Sequence, residues 1–595
     1  MAFQVSPGVN ISEIDLTTVV PAVTTTQGAI AGVFRWGPVN ERTLVTSENE
    51  LANRFGKPAS YYTEAGNTSS AIWNNYETFF SAANFLAYSD ALYVVRVAEN
   101  ANTAGGSVFD AKYQGVLGNS LQVAYCDSSS FAATTVSDSI SIVAFSNQAE
   151  IGSNTVNYGV GDYIVVDNQN LKVTAIAVDG ANTTTVTFEN KYIAASNLSA
   201  ASYAYQWGYN TLFDSAPESG KVHVVVIDED GAISGVAGTI LEKFTNVSKT
   251  ISARNEDGST NYLFDVLDQN SSFIAITEAN VSSVTGNGYD SLSGGLDGED
   301  EDGVATGTLA VGYDLFKSAE DVDISLVILG RPNTALTNYV LSNVVEYRRD
   351  CVAFASPFLA NVGSVSATAQ NIVDAFSTIN SSSYIVFDSG YKYQYDKYSD
   401  VYRWIPLNGD IAGLCAYTDD VRDPWFSPAG YNRGLIKNAI KLLLNPNKTQ
   451  RDLLYKNRIN PVITQPGQGT LLFGDKTGLS LPSAFDRINV RRLFIVLEKV
   501  IANAAKGALF EFNDEFTRAQ FVNLVEPFLR DVQGRRGIFD FRVICDETNN
   551  TAEVIDRNEF VGDIYIKPAR SINFIQLNFV AVRSGVEFSE IVGAA

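Results

Sequence analysis

The chain has 595 residues, of which 45% are apolar and 18% charged, and its formal net charge is −24. Single hydrophobic cores stop growing at about 250–300 residues, so this length predicts several domains. Residues 1–330 contain 13 Lys and Arg against 38 Asp and Glu, whereas residues 331–595 contain 29 against 28. Neither half has the basic patch that nucleic-acid binding requires. We expect the acidic half to form a solvent-facing exterior and the neutral half to pack against other protein.

The beginning of the chain has no basic segment followed by an apolar one, so no secretory signal is predicted. No window approaches 18 uninterrupted apolar residues, and membrane insertion is not expected. The four cysteines lie far apart and form no CxxC pair, which argues against a disulfide framework and a zinc site. They are Cys126, Cys351, Cys415 and Cys545.

Residues 1–22 have the pattern of an extended arm. Pro7-Gly8 breaks any helix, and Val9, Ile11 and Ile14 alternate with polar residues. Such a segment is strand-prone but too short to bury itself. The pattern alone favours a disordered terminus or an edge strand of the chain's own domain.

Residues 23–97 have mixed α/β character. Ser47 precedes Glu50 at the spacing of a capping box, which predicts a helix running toward Phe55. The other elements predicted here are a strand over Ala29–Phe34, a helix within Trp73–Leu86 and a strand over Ala91–Val97.

Residues 98–304 are rich in Gly, Ser, Thr, Asn and Val, and turn residues separate short alternating runs. This pattern predicts a β-rich block of barrel or sandwich modules. The runs are Ser139–Ala144, Tyr163–Val166, Leu171–Ile176, Thr183–Phe188 and Lys221–Asp228. The acidic run Asp297–Asp302 fails as a calcium loop, because Leu309 stands where a Glu ligand is required, and we expect a solvated linker.

Residues 305–480 return to α/β character with the order β-α-β-α-β, which predicts a parallel sheet covered by helices. The 98–304 block is then an insertion into one α/β core domain made of 23–97 and 305–480. The predicted elements are a strand over Ile324–Leu329, a helix over Thr334–Arg349, a strand over Val352–Ala355, a helix over Val365–Ile379 and a strand over Tyr384–Phe387.

The pattern of residues 481–583 predicts a separate α+β domain, and residues 584–595 are predicted to form a second arm. The first helix of this domain has an apolar stripe at helical spacing. The predicted elements are helices over Arg487–Lys506 and Phe516–Val532 and strands over Phe539–Ile544, Asp563–Lys567 and Ile572–Val582.

The sequence offers little for catalysis. Any Ser–His–Asp or Cys–His mechanism would depend on His223, the one histidine, which lies in a strand where a core or interface position is favoured. The segment Gly469–Thr477 approaches a phosphate loop, but Asp475 displaces Lys476 from its register and would repel phosphate. We therefore expect no enzyme activity, no cofactor and no metal site.

Several phrases, taken in order, resemble the tail sheath family of contractile injection systems. The resemblance covers nearly the whole chain, although Phe473 stands where many relatives carry tryptophan. The phrases include Ser6-Pro7-Gly8-Val9, Ala82–Leu86 leading into Tyr93–Val97, His223–Asp228, Ser291–Gly295, Ile488–Leu493, Phe539–Cys545 and Phe560–Pro568.

The resemblance implies a structural subunit and no chemistry. Such subunits polymerise as stacked hexameric discs around a tail tube, and contraction drives the tube through the host envelope for genome delivery. The implied partners are further copies of the chain, the tube protein, and the baseplate and tail terminator proteins, without direct nucleic-acid contact. The implied location is the virion tail, after assembly in the host cytoplasm.

The resemblance also implies which residues join the subunits. Extended arms add strands to the C-terminal domains of neighbours, which reverses the pattern-only interpretation of residues 1–22. The arm residues are Val5, Val9, Ile11 and Ile14 at one end and Val586, Phe588 and Ile591 at the other. Candidate contacts to an acidic tube or to neighbours, with purely local pairing equally open, are Arg487, Arg491, Arg492, Lys499, Arg535 and Arg536.

Three alternatives remain open from the sequence. The first is the same architecture in a bacterial contractile toxin or secretion system, although the large insertion favours a phage tail. The others are an enzyme built on the 305–480 sheet and a β-rich tail fibre or adhesin built on residues 98–300.

Overall fold

The computed structural model describes residues 24–62, 72–153, 156, 158–179, 183–331, 333–359, 368–573 and 576. Most of the strand expected over Ile572–Val582 falls outside these ranges, and its prediction stays a prediction. The same holds for the arm residues Val5, Val9, Ile11, Ile14, Val586, Phe588 and Ile591.

The first part of the chain supplies three strands to a central sheet. Its elements are β1 (Gly28–Val33), β2 (Arg42–Val45), α1 (Glu48–Phe55), β3 (Ser60–Tyr62), β4 (Ile72–Asn74), α2 (Tyr76–Leu86) and β5 (Leu92–Val97). Ser47 caps α1 by accepting a hydrogen bond from the Glu50 backbone N–H, as its spacing predicts. The helix predicted within Trp73–Leu86 starts only at Tyr76, because β4 pairs with β3 as a hairpin.

The segment between residues 98 and 304 forms two modules, and the alternating runs predicted there are confirmed as strands. Their elements are β6 (Thr103–Gly105), β7 (Phe109–Gln114), β8 (Leu121–Asp127), β9 (Thr134–Val136), β10 (Ile140–Ile142), β11 (Gln148–Ile151), β12 (Tyr163–Val166), β13 (Gln169–Asp179), β14 (Thr183–Phe188), β15 (Leu198–Ala200), β16 (Tyr203–Gln206), β17 (Lys221–Asp228), β18 (Thr239–Ser248), α3 (Leu263–Asn270), β19 (Ile274–Ile276), α4 (Glu278–Val281) and β20 (Asn287–Ser291).

The outer module is an eight-stranded antiparallel sheet in the order β15-β10-β11-β14-β13-β12-β16-β9. Alternate residues from most of its strands, among them Ile140, Val173 and Tyr205, meet in one core, so the sheet curls around its own interior. The inner module packs the sheet β18-β17-β8-β20 and the small sheet β19-β7-β6 around a second core that includes Leu263 and Leu267 of α3. The helices α3 and α4 were not predicted.

The next part of the chain completes the central sheet. Its elements are α5 (Thr306–Asp314), β21 (Leu326–Ile328), α6 (Thr334–Val340), α7 (Glu346–Arg348), β22 (Val352–Ala355), α8 (Ala369–Phe376), β23 (Ile385–Asp388), β24 (Tyr391–Asp396), β25 (Val401–Pro406), α9 (Asn408–Val421), β26 (Lys441–Leu442), α10 (Lys448–Lys456), β27 (Ile459–Asn460), β28 (Val462–Gln465) and β29 (Gly469–Leu472). A π-helical turn over Leu341–Val345 joins α6 to α7, so the predicted helix is continuous but not uniform.

The central sheet has the strand order β2-β5-β1-β21-β22-β23-β27 and is parallel except for β2. The predicted β-α-β-α-β order with parallel strands is therefore confirmed. The register aligns Ile30, Ile328 and Phe354 across three strands, and these side chains enter one core together with α2 and α9. Their neighbours Ala29 and Val327 enter the core on the opposite face. Apolar residues on both faces are what a parallel sheet covered by helices requires.

The last part of the described chain forms a small α+β unit, and its predicted helices and first two strands are confirmed. Its core is small and includes Leu493, Phe521 and Leu529 together with Trp425 from the preceding segment. We call this unit the C-terminal unit. Its elements are α11 (Ile488–Ala505), α12 (Glu515–Gly534), β30 (Ile538–Ile544), α13 (Ala552–Asp556) and β31 (Asp563–Pro568).

Candidate assembly surfaces

The histidine of the chain is a buried structural residue. Its Nε2 lies 2.9 Å from the Ser215 carbonyl oxygen, and its Nδ1 lies 3.0 Å from the Asn246 backbone nitrogen, which donates to it. The ring stacks on Phe213 with the centroids 4.0 Å apart. Burial lowers the pKa of His223, and the neutral ring with a proton on Nε2 satisfies both hydrogen bonds. The core position favoured by the sequence is confirmed.

The cysteines are also buried, and all four are free thiols. Burial raises the pKa of both Cys351 and Cys415 to about 12, which leaves these thiols unreactive at neutral pH. In the described ranges, no cluster of three or more His, Cys, Asp or Glu side chains is arranged to hold a metal ion. None of the helices in those ranges combines the length and the apolar character of a membrane span.

The glycine-rich segment Gly469–Thr477 holds a structural carboxylate in place of a phosphate loop. Asp475 is buried, and its carboxylate accepts hydrogen bonds from the Tyr455 hydroxyl at 3.2 Å and the Ser571 hydroxyl at 2.5 Å. The Arg487 guanidinium lies 3.4 Å from the same carboxylate. Because Arg487 and Ser571 flank the C-terminal unit, Asp475 fastens that unit to the segment that carries the central sheet.

The acidic run Asp297–Asp302 contradicts the solvated linker that the sequence predicted. Glu301 is buried and accepts hydrogen bonds from the backbone N–H groups of Glu77 and Thr78 at 3.1 and 2.9 Å. These groups open α2, where the helix dipole stabilises a negative charge. Asp297 is buried too and accepts a hydrogen bond from the Val116 N–H at 2.8 Å. The prediction was wrong because these partners lie far away in the sequence.

A buried ionic cluster surrounds Glu301. Arg331 lies 3.4 Å from the Glu77 carboxylate and also pairs with Asp302. Burial, and then the charge of Glu301, raise the pKa of Glu77 to about 8. The return from the inserted modules to the central sheet is thus fixed by buried charges and is not a loose hinge.

Two basic residues proposed as contacts to other chains are buried within this one. The Arg492 guanidinium lies 2.5 Å from the Asp419 carboxylate of α9, and both side chains are almost wholly buried. The Arg491 guanidinium stacks over the rings of Phe485 and Tyr384, at 4.0 and 4.3 Å from their centroids. Both residues therefore have partners within the chain, which is one of the two alternatives that the sequence analysis left open. Both attach α11 to the part of the chain that carries the central sheet.

Arg487 and Lys499 are partly buried and have local partners as well. The Lys499 ammonium lies 2.7 Å from Asp323 and 3.0 Å from the Ile324 carbonyl oxygen, and Arg487 pairs with Asp475 as described. The remaining two residues are exposed: Arg535 pairs with Asp423 beside Trp425, and Arg536 follows it in a left-handed backbone conformation. A contact between these residues and another chain stays a prediction.

The strands β30 and β31 form a two-stranded antiparallel ribbon. Among the described residues neither strand has a second partner strand, so the outer edge of each is not paired in a sheet. One face packs on the core of the C-terminal unit through Phe541 and Ile566. The other face exposes Phe539 and Tyr565. An isolated two-stranded ribbon is only marginally stable, and open edges are templates for further strands.

The loop between α11 and α12 and the first turn of α12 expose four large apolar side chains, which the sequence analysis did not single out. The exposed fractions are 63% for Leu509, 104% for Phe510, 85% for Phe512 and 75% for Phe516. Phe510 also has a φ of +69°, a conformation that bulky residues rarely adopt. The signal was present in the sequence, where these residues alternate with Glu511, Asp514 and Glu515 between two helices.

Known proteins of one family match this chain over almost its whole length. Residues 309–478 match the phage tail sheath protein central domain, and residues 480–581 match the phage tail sheath C-terminal domain. The tail sheath protein of Vibrio phage KVP40 is 33% identical across 99% of this chain and 99% of its own length. The tail sheath protein of Enterobacteria phage T4 is also 33% identical with the same coverage of both chains.

A solved structure shares the fold. The sheath tail protein Lin1278 from Listeria innocua aligns over 92% of this chain and 96% of its own with a TM-score of 0.50, at 11% identity. The resemblance stated from the sequence is therefore confirmed. The chain belongs to the phage tail sheath protein family and is a subunit of a contractile tail sheath.

Proposed function

We propose that this subunit polymerises as stacked hexameric discs around a tail tube and acts by changing its packing, without catalysing a reaction. Contraction would drive the tube through the host envelope and deliver the genome. The observation that carries this proposal is the ribbon of β30 and β31, which has no further strand partner among the described residues and one exposed face. A subunit with such a ribbon gains stability when neighbours supply strands.

We assign the added strands to the arms. Residues 1–22, with Val5, Val9, Ile11 and Ile14, and residues 584–595, with Val586, Phe588 and Ile591, alternate apolar and polar positions and cannot bury themselves as single strands. Main-chain hydrogen bonds between an arm and a ribbon edge would hold subunits together in both packing arrangements. The energy released on contraction is then the difference between two packings of the same subunits.

The proposed domain division follows the central sheet. Residues 23–97 and 305–480 form the core domain, residues 98–304 the outward-facing insertion, and residues 481–583 an inner domain that faces the tube. The balance of charge supports this order, since residues 1–330 carry 38 acidic and only 13 basic side chains. The further partners in this arrangement are the tube, baseplate and tail terminator proteins, and assembly takes place in the host cytoplasm.

Negative-stain electron microscopy of the purified chain tests the proposal. We expect the full chain to form long hollow tubes and a version lacking residues 1–20 to remain dispersed. A matched pair of full-length variants separates strand pairing from simple loss of the arm. Ile11→Pro removes a backbone donor and should block tube formation, whereas Ile11→Thr keeps the donor and the strand propensity.

The contrary outcome is equally clear. If the full chain stays monomeric at high concentration with tube protein present, polymerisation around a tube is wrong. If the chain lacking residues 1–20 forms tubes as readily as the full chain, the arms do not join the subunits. The two relatives that match this chain over 99% of their length are phage proteins. We therefore favour a subunit of a phage tail over a subunit of a bacterial toxin or secretion sheath.

A further inference from the structure

The loop after α11 and the first turn of α12 expose Leu509, Phe510, Phe512 and Phe516, and we call residues 509–516 the aromatic knob. An apolar patch of this size on one short segment is unusual for a surface that stays in water. The left-handed backbone at Phe510 costs conformational free energy that glycine would avoid. Neither feature stabilises the isolated subunit, so both point to a contact with another chain.

A groove elsewhere in the chain has room for apolar side chains. It has a volume of about 550 Å³ and lies between the β24–β25 hairpin and the segment 435–440. Phe80 and Ala439 line it, and so do Leu435 and Ile440, whose side chains are 52% and 56% exposed. This volume is typical of sites that enclose apolar ligands, so it can accept aromatic side chains.

The segments that carry the two surfaces have opposite charge, although Glu48 and Lys397, which both line the groove, pair with each other at 3.1 Å. Residues 509–516 of the knob contain three acidic residues, Glu511, Asp514 and Glu515, and no basic one. The segment 431–451 along the groove contains five basic residues and no acidic one, in a chain whose net charge is −24. Of these, Lys437 and Lys441 are exposed beside the groove. Charge complementarity of this kind selects a partner and fixes its register.

We propose that the aromatic knob of one sheath subunit inserts into the groove of a second copy of the same chain. Both surfaces are exposed within one chain, so neither covers the other. Two different surfaces that complement one another make a head-to-tail contact, and such contacts build rings or open helices. The proposal rests on polymerisation of the subunit, as proposed above, and adds a contact independent of the arms.

Cysteine trapping in assembled tubes tests the contact directly. Phe512→Cys and Leu435→Cys are made in separate full-length chains, which are mixed, assembled and oxidised. The native cysteines are buried, so the unmodified chain gives the background. We expect a covalent dimer from this pair and none from Phe512→Cys mixed with Val178→Cys, a control position exposed on the outer module.

Charge exchange provides a second test that does not depend on distance. Lys437→Glu with Lys441→Glu, or Glu511→Lys with Glu515→Lys, should raise the concentration needed for tube formation at least about tenfold. Combining all four changes should restore assembly. Thermal unfolding verifies that each variant is folded before assembly is scored.

The outcomes separate the two proposals. Tubes without the 512–435 dimer, or a position 512 that is trapped only on added tube protein, overturn the knob-and-groove contact and leave the sheath assembly intact. An unmodified chain that forms no tubes overturns the proposed assembly and, with it, this contact. Tubes that contain the 512–435 dimer and recover on charge exchange support both.

Discussion

The central sheet and the ribbon of the C-terminal unit differ in how completely the described chain covers their faces. Helices cover the central sheet on both faces, and Phe354 and Ile328 are almost fully buried. The ribbon of β30 and β31 is covered on one face only and leaves Phe539 and Tyr565 exposed. Among the described residues, the first region is covered within one chain, whereas the second leaves strand edges and aromatic side chains exposed. We have proposed that neighbouring subunits cover the second region.

The largest expected effect comes from opening the central core. Phe354→Ala should lower the free energy of unfolding by about 3–5 kcal/mol, because it leaves a cavity where a side chain is 1% exposed. Denaturant unfolding of the full chain measures the loss. The matched exposed change, Phe512→Ala, should alter the same quantity by less than about 0.5 kcal/mol. Equal losses for both variants would contradict the difference in burial between the central sheet and the C-terminal unit.

The attachment between the two regions comes next. Arg492→Met should cost about 3 kcal/mol, because it leaves the Asp419 carboxylate buried without its cation. Thermal unfolding, followed by amide exchange in α11, measures the effect and its location. Adding Asp419→Leu should recover most of the loss. The exposed pair Arg530–Glu526 is the control, and Arg530→Met should cost less than about 0.5 kcal/mol. A failure of Asp419→Leu to rescue would contradict a role for the buried charge.

The central region should also respond to pH. Burial raises the pKa of Asp388 to about 8 from an ordinary value of 3.8, so the folded chain favours the protonated acid. The stability this provides is complete below about pH 4 and is lost as the pH rises toward 8. Between pH 5 and pH 7 the loss should be about 2–3 kcal/mol. Asp388→Asn should lower the pH slope of a series of unfolding measurements by this amount and leave the contribution of Glu77, whose pKa is also raised to about 8. An unchanged slope would contradict the assignment.

The smallest expected effect is a gain in the free energy of unfolding, whereas the changes above lower it. Phe510→Gly should leave the free energy of unfolding unchanged or raise it by up to about 1 kcal/mol, because glycine accepts the positive φ without strain. Differential scanning calorimetry at one protein concentration measures it. The comparison variant is Phe512→Gly, at a neighbouring residue without a positive φ, which should be neutral or slightly destabilising. A large loss at Phe510 would mean that its ring supports the subunit's own fold.

The elements of the fold followed from local patterns, but several contacts did not. Strand alternation and helical spacing placed β22 and α11 within a residue or two. The acidic run at Glu301 carried no local sign of burial, because its partners open a helix more than 200 residues earlier. Arg492 was similarly assigned to a surface, since its partner Asp419 lies 73 residues away on another helix.

The candidate surfaces were predictable in part. Strand-prone sequence at β30 and β31 predicted a sheet, but an open edge is visible only when the pairing of every described strand is known. The aromatic knob was detectable as a run of alternating apolar and acidic residues between two helices. The groove was not, because it joins the hairpin at Tyr395 to the segments at Leu435 and Thr470.

The inserted modules leave and re-enter the central segment through adjacent strands. Asn102 and Leu296 exchange two backbone hydrogen bonds of 3.0 Å, and Gly105 and Ser293 exchange two of 2.9 and 3.0 Å. The two ends of the insertion, at Asn102 and Leu296, are therefore one hydrogen bond apart, which is the geometry that tolerates domain exchange. A foreign domain whose termini lie equally close could replace the inserted modules at this pair of strands. Repeated in every subunit, such a graft would give a regularly spaced display scaffold along the tail.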